Sequence, residues 1–480
     1  MRTIVLAPAL PGTPVAAAVA PGLDELGVML AYAPLHHLLL SSGPRILVMT
    51  SGNRSEEPIA RDDQVARERL AGIADAFLSH DREIHTRADD SVVRIVATEP
   101  QPVRRSRGYV AGAIALPFEG PALVAVGPQL KNTVCLVRRD EAFLGPHVGD
   151  LDNLEAHAFF DEVIGKLSRL LGVRPEAVAH DLHPDYASTR WALTCGLRRV
   201  AVQHHHAHVV SCVVDARPTH SGAAIGVAFD GTGCGPAGDL WGGEFLLFDW
   251  RGFDRRGHLR AIALPGGEAA IREPWRLGLA VLRDAGLSEQ PLLGSIDPVR
   301  RARVGQLLGS AVRATGAGRW FDAVAALCGF AGAISYEGQA AIELEARAAE
   351  VPEPYVFELV GEPFAADLRP AVREMAGDLV GGRPSSEVAG RFHETMARIV
   401  AAGCGRIREA SGVRTVALSG GCFQNRRLTE RSLALLEADG FDVLLHRRVP
   451  PNDGGVSLGQ AAIAAARLGE KGHHVSRHPR

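Results

Sequence analysis

Apolar and polar positions along the chain follow two alternating patterns, which together predict an α/β protein. Short apolar runs bounded by glycine, proline or polar residues indicate strands. We predict strands at residues 45–50, 123–127, 133–137, 177–182, 200–203, 222–229, 245–248 and 415–418. Elsewhere, apolar positions recur every three or four residues, as on an amphipathic helix. The clearest such helix begins at Asp152 and ends before Gly172. Residues 268–348 are predicted to be mostly helical.

The division into domains follows from turn-forming residues and from spacing. Proline and glycine together at residues 116–121 predict a linker. We therefore expect one domain over residues 1–119, a second over residues 120–468, and a disordered polar tail at 469–480. In the second domain, two glycine-rich turns that each follow a strand lie about 190 residues apart. That spacing predicts a duplicated, two-lobed domain with a ligand cleft between its lobes.

Composition narrows the class of protein. The chain has 480 residues, a net charge of −3 and 46% hydrophobic residues, which is typical of a globular protein and gives no support for nucleic-acid binding. Prolines interrupt the N-terminal apolar residues, and no apolar run is long enough to cross a membrane. The seven cysteines form no C-x-x-C pair, which predicts reduced thiols and a cytoplasmic location.

A cluster of histidines after residues 200–203 predicts a metal site. If a helix has begun by His204, the rings of His204 and His208 lie on one face, within reach of one ion. Further ligands are expected from acids in glycine-rich turns, with Asp230 and Asp453 as the best candidates. Two imidazoles with carboxylates suit iron or zinc. The alternative is a half-buried histidine cluster at the start of a helix.

Glycine-rich turns after strands predict contacts with phosphate groups, because glycine lets backbone N–H groups approach a ligand. Such turns occur at residues 230–235 and 419–421, and a polar turn with hydroxyl and amide groups occupies 51–58. A hairpin or a loop without a ligand remains the alternative at each place. Glu337 lies in an unusual acidic segment at 335–345, where a functional role and a solvated helix are both open.

The motifs in combination resemble the HypF family of carbamoyltransferases, which act in nickel–iron hydrogenase maturation. The resemblance rests on residues 130–133, 147–151, 180–186, 203–208, 229–233, 241–244, 335–345, 419–425 and 450–460. Residues 35–40 and 50–55 resemble the later half of that family's YrdC-like domain. The resemblance implies a partial YrdC-like α/β domain followed by a two-lobed ASKHA domain similar to TsaD.

This resemblance implies a reaction and a set of site residues. Carbamoyl phosphate and ATP yield a carbamoyl-adenylate, and its carbamoyl group passes to the C-terminal cysteine of HypE as a precursor of cyanide. The implied metal ligands are His204, His208, Asp230 and Asp453, and the implied catalytic residues are Lys131, Asp230 and Glu337. The expected nucleotide-binding residues are Ser51, Asn53, Gly231, Thr232, Gly233, Gly243, Glu244, Ser419, Gly420, Gly421 and Asn425.

The sequence departs from the family pattern at its start. The acylphosphatase-like domain, the paired C-x-x-C motifs and the first half of the YrdC-like domain are not found in it. We therefore expect Met1 to be an internal start, the start of a fragment, or part of a split protein. The resemblance implies carbamoyl transfer by this chain more directly than carbamoyl phosphate cleavage or adenylate formation.

Three other functions fit the same motifs. A small-molecule O-carbamoyltransferase shares the transfer domain but acts on a hydroxyl group. A sugar-kinase-like phosphotransferase has the same fold, releases ADP and does not need the histidine pair. A non-catalytic fragment that binds HypE or a nucleotide is the third. The nature of the acceptor and of the released nucleotide distinguishes them.

Overall fold

The computed structural model describes residues 3–55, 57–110, 112–289 and 291–469. Its strands are β1 (Thr3–Pro8), β2 (Glu25–Val28), β3 (Ser91–Val96), β4 (Glu99–Arg104), β5 (Ala113–Ala125), β6 (Cys135–Leu144), β7 (Ala177–Asp181), β8 (Arg198–Val202), β9 (Ala224–Cys234), β10 (Leu240–Phe248), β11 (Phe253–Leu259), β12 (Ile262–Ala263), β13 (Arg313–Ala314), β14 (Glu358–Val360), β15 (Phe364–Asp367), β16 (Thr415–Ser419) and β17 (Asp442–Leu444).

The α-helices are α1 (Pro34–Ser42), α2 (Asp63–Arg69), α3 (Leu154–Leu171), α4 (Ala187–Thr194), α5 (His204–Ala216), α6 (Glu268–Arg272), α7 (Trp275–Asp284), α8 (Pro298–Leu307), α9 (Ala317–Leu327), α10 (Gln339–Arg347), α11 (Arg369–Val380), α12 (Ser385–Ser411), α13 (Arg426–Ala438) and α14 (Val456–Leu468). The mixed α/β class expected from the sequence is therefore confirmed. Among the described helices, none combines the length and the hydropathy that a bilayer crossing requires.

The chain folds as two compact units. In its described part, the first unit comprises residues 3–21, 25–202 and 446–469, and the second comprises 22–24 and 203–445. The first unit has two four-stranded sheets, ordered β2-β1-β3-β4 and β6-β5-β7-β8. Helix α3 packs on the second of these sheets through buried side chains such as Phe159 and Val163.

The second unit is built around one sheet of nine described strands. Its main path runs β14-β15-β11-β10-β9-β16-β17, with β12 and β13 beside β10. Strand β9 is central and pairs antiparallel with β10 and parallel with β16. Helix α5 packs against this centre, where the position of Gly226 on β9 leaves room for Val209 of α5. The helices predicted for residues 268–348 are present as α6 to α10.

Two predicted elements of the first unit are wrong. Residues 45–50 form no strand, and Ile46 and Val48 are 59% and 70% exposed, since no described strand pairs with them. The predicted linker at 116–121 is instead part of strand β5, which pairs with β6 across register shifts around Gly120. A Cβ at Gly120 would lie 2.7 Å from the Cβ of Ala465 in α14. The glycine therefore serves close packing rather than flexibility.

The ends of two helices differ slightly from the prediction. Asn153, and not Asp152, caps α3 by accepting a hydrogen bond from the backbone N–H of Ala156. The predicted end at Gly172 is confirmed, with that residue in the left-handed conformation. The predicted tail at 469–480 lies outside the described residues except for Gly469, whose N–H donates to the carbonyl of Ala465.

Candidate functional site

The histidine segment begins a helix, as the metal prediction requires. Gln203 is the N-cap of α5, and its side-chain oxygen accepts a hydrogen bond from the backbone N–H of His206. His204 is thus the first residue of α5, and His208 lies one turn later on the same face. Both rings are buried, with exposed fractions of 0% and 1%.

Asp230 on β9 meets both of these rings with one carboxylate oxygen. Its Oδ2 lies 3.1 Å from Nε2 of His208 and 3.4 Å from Nε2 of His204. Burial raises the pKa of the Asp230 carboxyl, but the hydrogen bonds from the two histidines outweigh burial and hold that pKa well below its ordinary value. The site therefore combines a charged carboxylate with two imidazoles.

The other carboxylate oxygen of Asp230 is held by the backbone. Oδ1 accepts a hydrogen bond from the N–H of Gly231 at 2.9 Å and from the N–H of Gly421 at 3.2 Å. The hydroxyl of buried Ser419 lies 3.5 Å from Nδ1 of His208. These contacts leave Oδ2 of Asp230 and Nε2 of both histidines directed at one another.

The chemistry of this donor set fits a divalent metal. The donor atoms of His204, His208 and Asp230 all lie within 4.8 Å of one another. Two neutral imidazole nitrogens and a carboxylate oxygen are typical ligands of zinc and of iron. An ion bound there would take the place of the hydrogen bonds between the rings and the carboxylate.

The sequence predicts a turn at residues 230–235, but the glycine segment at 231–233 is not part of a turn. It continues strand β9 and faces β10, with Gly233 opposite Trp241, and the hairpin turns only afterwards, between Gly235 and Asp239. A Cβ at Gly233 would lie 2.8 Å from Cδ2 of His204 and 2.7 Å from Cε1 of His205. These glycines are needed because the histidine rings pack directly on the strand. Thr232 lies between them.

The second predicted turn is confirmed at the end of β16. Gly420 has a φ of +100°, and a Cβ there would lie 2.2 Å from the carbonyl oxygen of Phe229. Glycine is therefore required both by backbone conformation and by space. The turn leads through a 3₁₀ segment, Gly421–Gln424, into α13. It brings the N–H of Gly421 to Asp230.

Two predicted nucleotide residues of the second unit have their polar atoms engaged within the protein. Glu244 is fully buried and accepts hydrogen bonds from Arg255, Thr315 and the N–H groups of Gly242 and Gly243. Asn425 caps α13 through its oxygen, and its amide nitrogen lies 2.9 Å from Nε2 of His393. Their contribution to nucleotide binding stays a prediction, but the structure shows that both position the surrounding backbone.

The remaining predicted residue of the second unit is Glu337. Glu337 is exposed in the turn that precedes α10, where the side chain of its neighbour Gln339 contacts Ser335 and Glu343. Its catalytic role therefore stays a prediction.

The first unit holds four predicted site residues. Lys131 has a φ of +45°, and its N–H donates to the carboxylate of Asp150. Asp453 begins a 3₁₀ turn that leads into α14. The hydroxyl of Thr133 donates to the carbonyl of Gly454 at 2.9 Å, so the Lys131 and Asp453 segments lie side by side.

The other two residues of the first unit lie in an irregular segment after residues 45–50. Ser51 is exposed, and its carbonyl accepts a hydrogen bond from the N–H of Asn53. The side-chain amide of Asn53 donates to the carbonyl of Arg54. The structure therefore shows a local polar turn, and nucleotide binding there stays a prediction.

Cys422 and Cys234 of the second unit lack the surroundings of a nucleophile. Burial raises the pKa of Cys422 well above the ordinary value, and the charge of Asp230 raises it further. Cys234 is buried and donates to the carbonyl of Gly235. The Cys422 thiol is therefore protonated at neutral pH, and the Cys234 thiol is largely shielded from solvent.

Sequence reasoning missed Arg319. It lies in the first turn of α9, is 7% exposed, and its guanidinium packs against Gly231. The only signal in the sequence is a pair of glycines, Gly316 and Gly318, directly before it.

Comparison with known families accounts for most of the chain. Residues 226–460 match a model described as "Carbamoyltransferase, Kae1-like Domain, second subdomain", and residues 119–215 match one described as "HypF Kae1-like domain". Residues 2–106 match the Sua5/YciO/YrdC model, described as "Telomere recombination".

Individual relatives agree with these matches. Carbamoyltransferase HypF2 of Cupriavidus necator is 42% identical over 506 aligned positions, which cover 94% of this chain and 62% of the relative. Carbamoyltransferase HypF of Rhodobacter capsulatus is 43% identical over 97% of this chain and 63% of its own length. The chain thus spans slightly less than two thirds of these curated relatives.

A solved structure extends the similarity to the fold. The crystal structure of full-length HypF in the phosphate- and nucleotide-bound form is 40% identical, with a TM-score of 0.93 over 98% of this chain and 75% of that one. Sequence, domain models and fold therefore agree, and the chain belongs to the HypF family of carbamoyltransferases.

Proposed function

We propose that the chain transfers a carbamoyl group from carbamoyl-adenylate to the C-terminal cysteine of HypE during nickel–iron hydrogenase maturation. The observation that carries the proposal is the convergence of His204, His208 and Asp230 on one point of the second unit. Membership of the HypF family supports the carbamoyl group as the transferred group. The solved relative with bound phosphate and nucleotide supports an adenylate as the donor.

In this proposal, His204, His208 and Asp230 hold a divalent ion, iron or zinc, and Asp453 is its fourth protein ligand. When bound, the ion supplies positive charge that polarises the carbamoyl carbonyl. The backbone N–H groups of Gly231 and Gly421 fix the orientation of the Asp230 carboxylate. The glycines on β9 have no Cβ, so the histidine rings pack directly on the backbone of the strand.

The transfer step needs no cysteine of this chain. The thiolate sulfur of the acceptor attacks the carbamoyl carbon, a C–S bond forms, and the bond between that carbon and the phosphate oxygen breaks. The electron pair leaves with AMP, which is a competent leaving group because the donor is a mixed anhydride. The high pKa of Cys422 supports an external thiol as the nucleophile. Carbamoyl phosphate and ATP are the proposed sources of the donor.

The proposal is tested by supplying carbamoyl-adenylate and HypE to the purified full chain. Intact-mass and peptide mass spectrometry should find one carbamoyl group on the C-terminal cysteine of HypE, with AMP released. HypE with that cysteine replaced by alanine is the control and should stay unmodified. If HypE stays unmodified while a small hydroxyl compound is carbamoylated, the acceptor is wrong. If neither is modified, or ADP is released, the proposed reaction is wrong.

A further inference from the structure

Arg319 is a buried cation whose hydrogen-bonding capacity is largely unused. Its Nη2 lies 3.3 Å from the carboxylate of Asp322, one turn further along α9. Within the described part of the chain, its buried Nε and Nη1 have no hydrogen-bond partner. A guanidinium has five N–H donors, and charged donors left without partners in the interior destabilise the folded state. Such an arrangement calls for an anionic partner.

Two glycines allow Arg319 to lie close to the segment that follows Asp230. A Cβ at Gly231 would lie 3.2 Å from Nη2 of Arg319, and a Cβ at Gly316 would lie 1.9 Å from the carbonyl of Gly231. Glycine at these positions lets the first turn of α9 pack backbone to backbone on the segment after Asp230. The guanidinium therefore lies beside the metal-ligand cluster.

The helix terminus adds positive potential at the same place. Helix α9 has 11 residues, and its N-cap, Gly316, provides no side chain to bond the first N–H groups. The partial positive charge of a helix N-terminus favours anions. Burial raises the pKa of the Asp322 carboxyl, and the charge of Arg319 acts in the opposite direction.

We propose that Arg319 binds the phosphate of the adenylate beside the His204–His208–Asp230 cluster. This inference rests on the proposed function, because it assumes an adenylate donor. A planar guanidinium fork can donate two parallel hydrogen bonds to two oxygens of one phosphate group. During transfer, negative charge grows on this phosphate as AMP departs, so a fixed cation there stabilises the leaving group.

The test compares ligands that differ only in the phosphate. Isothermal titration calorimetry measures binding of AMP, adenosine and inorganic phosphate to the full chain, to Arg319→Gln and to Arg319→Lys. Arg319→Gln should weaken AMP binding roughly 10- to 100-fold, the range for a lost charged hydrogen bond. Adenosine affinity should stay unchanged. The AMP affinity of Arg319→Lys should lie between that of the wild type and that of Arg319→Gln. Binding of inorganic phosphate to the wild type but not to Arg319→Gln would identify the phosphate group as the ligand.

A matched control and the opposing outcomes complete the test. Arg276→Gln removes an arginine that pairs with Glu273 elsewhere in the same unit and should leave AMP binding unchanged. Equal weakening of AMP and adenosine, no weakening of either, or no AMP binding by the wild type would each overturn the inference. Carbamoylation of HypE is measured separately, so the proposed function can stand while the role of Arg319 fails.

Discussion

The backbone N–H of Gly421 donates a hydrogen bond to Oδ1 of Asp230 at 3.2 Å, across 191 positions of sequence. This bond joins the two glycine-rich motifs of the second unit at a single carboxylate. It also decides which oxygen of Asp230 faces His204 and His208. The geometry of the candidate metal site therefore depends on the turn after β16 as much as on the histidine helix.

Replacing Gly420 in that turn should be strongly destabilising. Gly420→Ala places a methyl group against the carbonyl of Phe229 and forces alanine into a left-handed conformation. We expect a loss of unfolding free energy of about 3 kcal/mol or more, from strain and steric overlap together. Denaturant unfolding, followed by hydrogen exchange of peptides from the second unit, measures it.

Gly440→Ala is the matched control for this substitution. Gly440 has a φ of +77°, but nothing lies within 4 Å of the position its Cβ would take. Its replacement should therefore cost only the conformational strain, about 1 kcal/mol. Equal losses in the two variants would show that the contact with Phe229 does not constrain the turn.

Removing the charge of Glu244 should loosen the backbone next to the site. Glu244→Gln keeps the shape of the side chain but leaves Arg255, which stacks on Trp241, without its charged partner. We expect a destabilisation of about 1–3 kcal/mol and faster hydrogen exchange at Gly242 and Gly243.

Glu268→Gln provides the comparison for Glu244. Its carboxylate is exposed, and its ion pair with Arg272 lies on the surface. Its loss should change the unfolding free energy by less than about 0.5 kcal/mol. If both glutamates can be replaced at the same small cost, Glu244 does not organise the strand.

The second unit should become less stable as the pH is lowered, because of His393. Burial and the charge of Arg427 lower the pKa of His393 to about 4. A hydrogen bond to the carbonyl of Ala389 acts in the opposite direction. A histidine whose pKa is depressed on folding stabilises the native state fully above its unfolded pKa of about 6.5. That contribution is lost as the pH falls from there towards 4, by up to about 3 kcal/mol.

Hydrogen exchange of α12 at pH 7 and pH 5 measures this dependence, after correction for the intrinsic exchange rate. His393→Gln keeps a group that can accept from Asn425 but does not titrate, so its stability should vary less between the two pH values. An identical pH dependence in the variant and the wild type would assign the effect to other groups.

Local patterns predicted the helix that carries His204 and His208, whereas long-range packing did not show in the sequence. The helix that places His204 and His208 one turn apart follows from a short segment, and it is confirmed. The strand predicted to end before Asp230 instead continues to Cys234. Residues 45–50 have the composition of a strand, but composition cannot show whether a neighbouring strand is available for pairing. The linker predicted at residues 116–121 is wrong for a similar reason, because Gly120 packs against Ala465, which is distant in the sequence.

The misread glycines have the same physical cause. Gly231 and Gly233 suggested a phosphate-binding turn, because glycine is common where the backbone bends. In the structure they are strand residues without a positive φ, and they are small because Arg319 and the histidine rings approach them. A single sequence does not reveal which side chain will approach a given glycine. For the same reason Arg319 could not be singled out beforehand.

X-ray absorption of the full chain loaded with iron or zinc tests the metal site most directly. We predict about one ion per chain with two imidazole ligands. One imidazole should be lost in His208→Ala. His206→Asn is the control, because His206 lies on the same helix but directs its Nε2 to the carbonyl of Asp249. It should keep both ligands. A chain that binds no metal, or one whose imidazole ligands are unchanged in His208→Ala, would contradict the account.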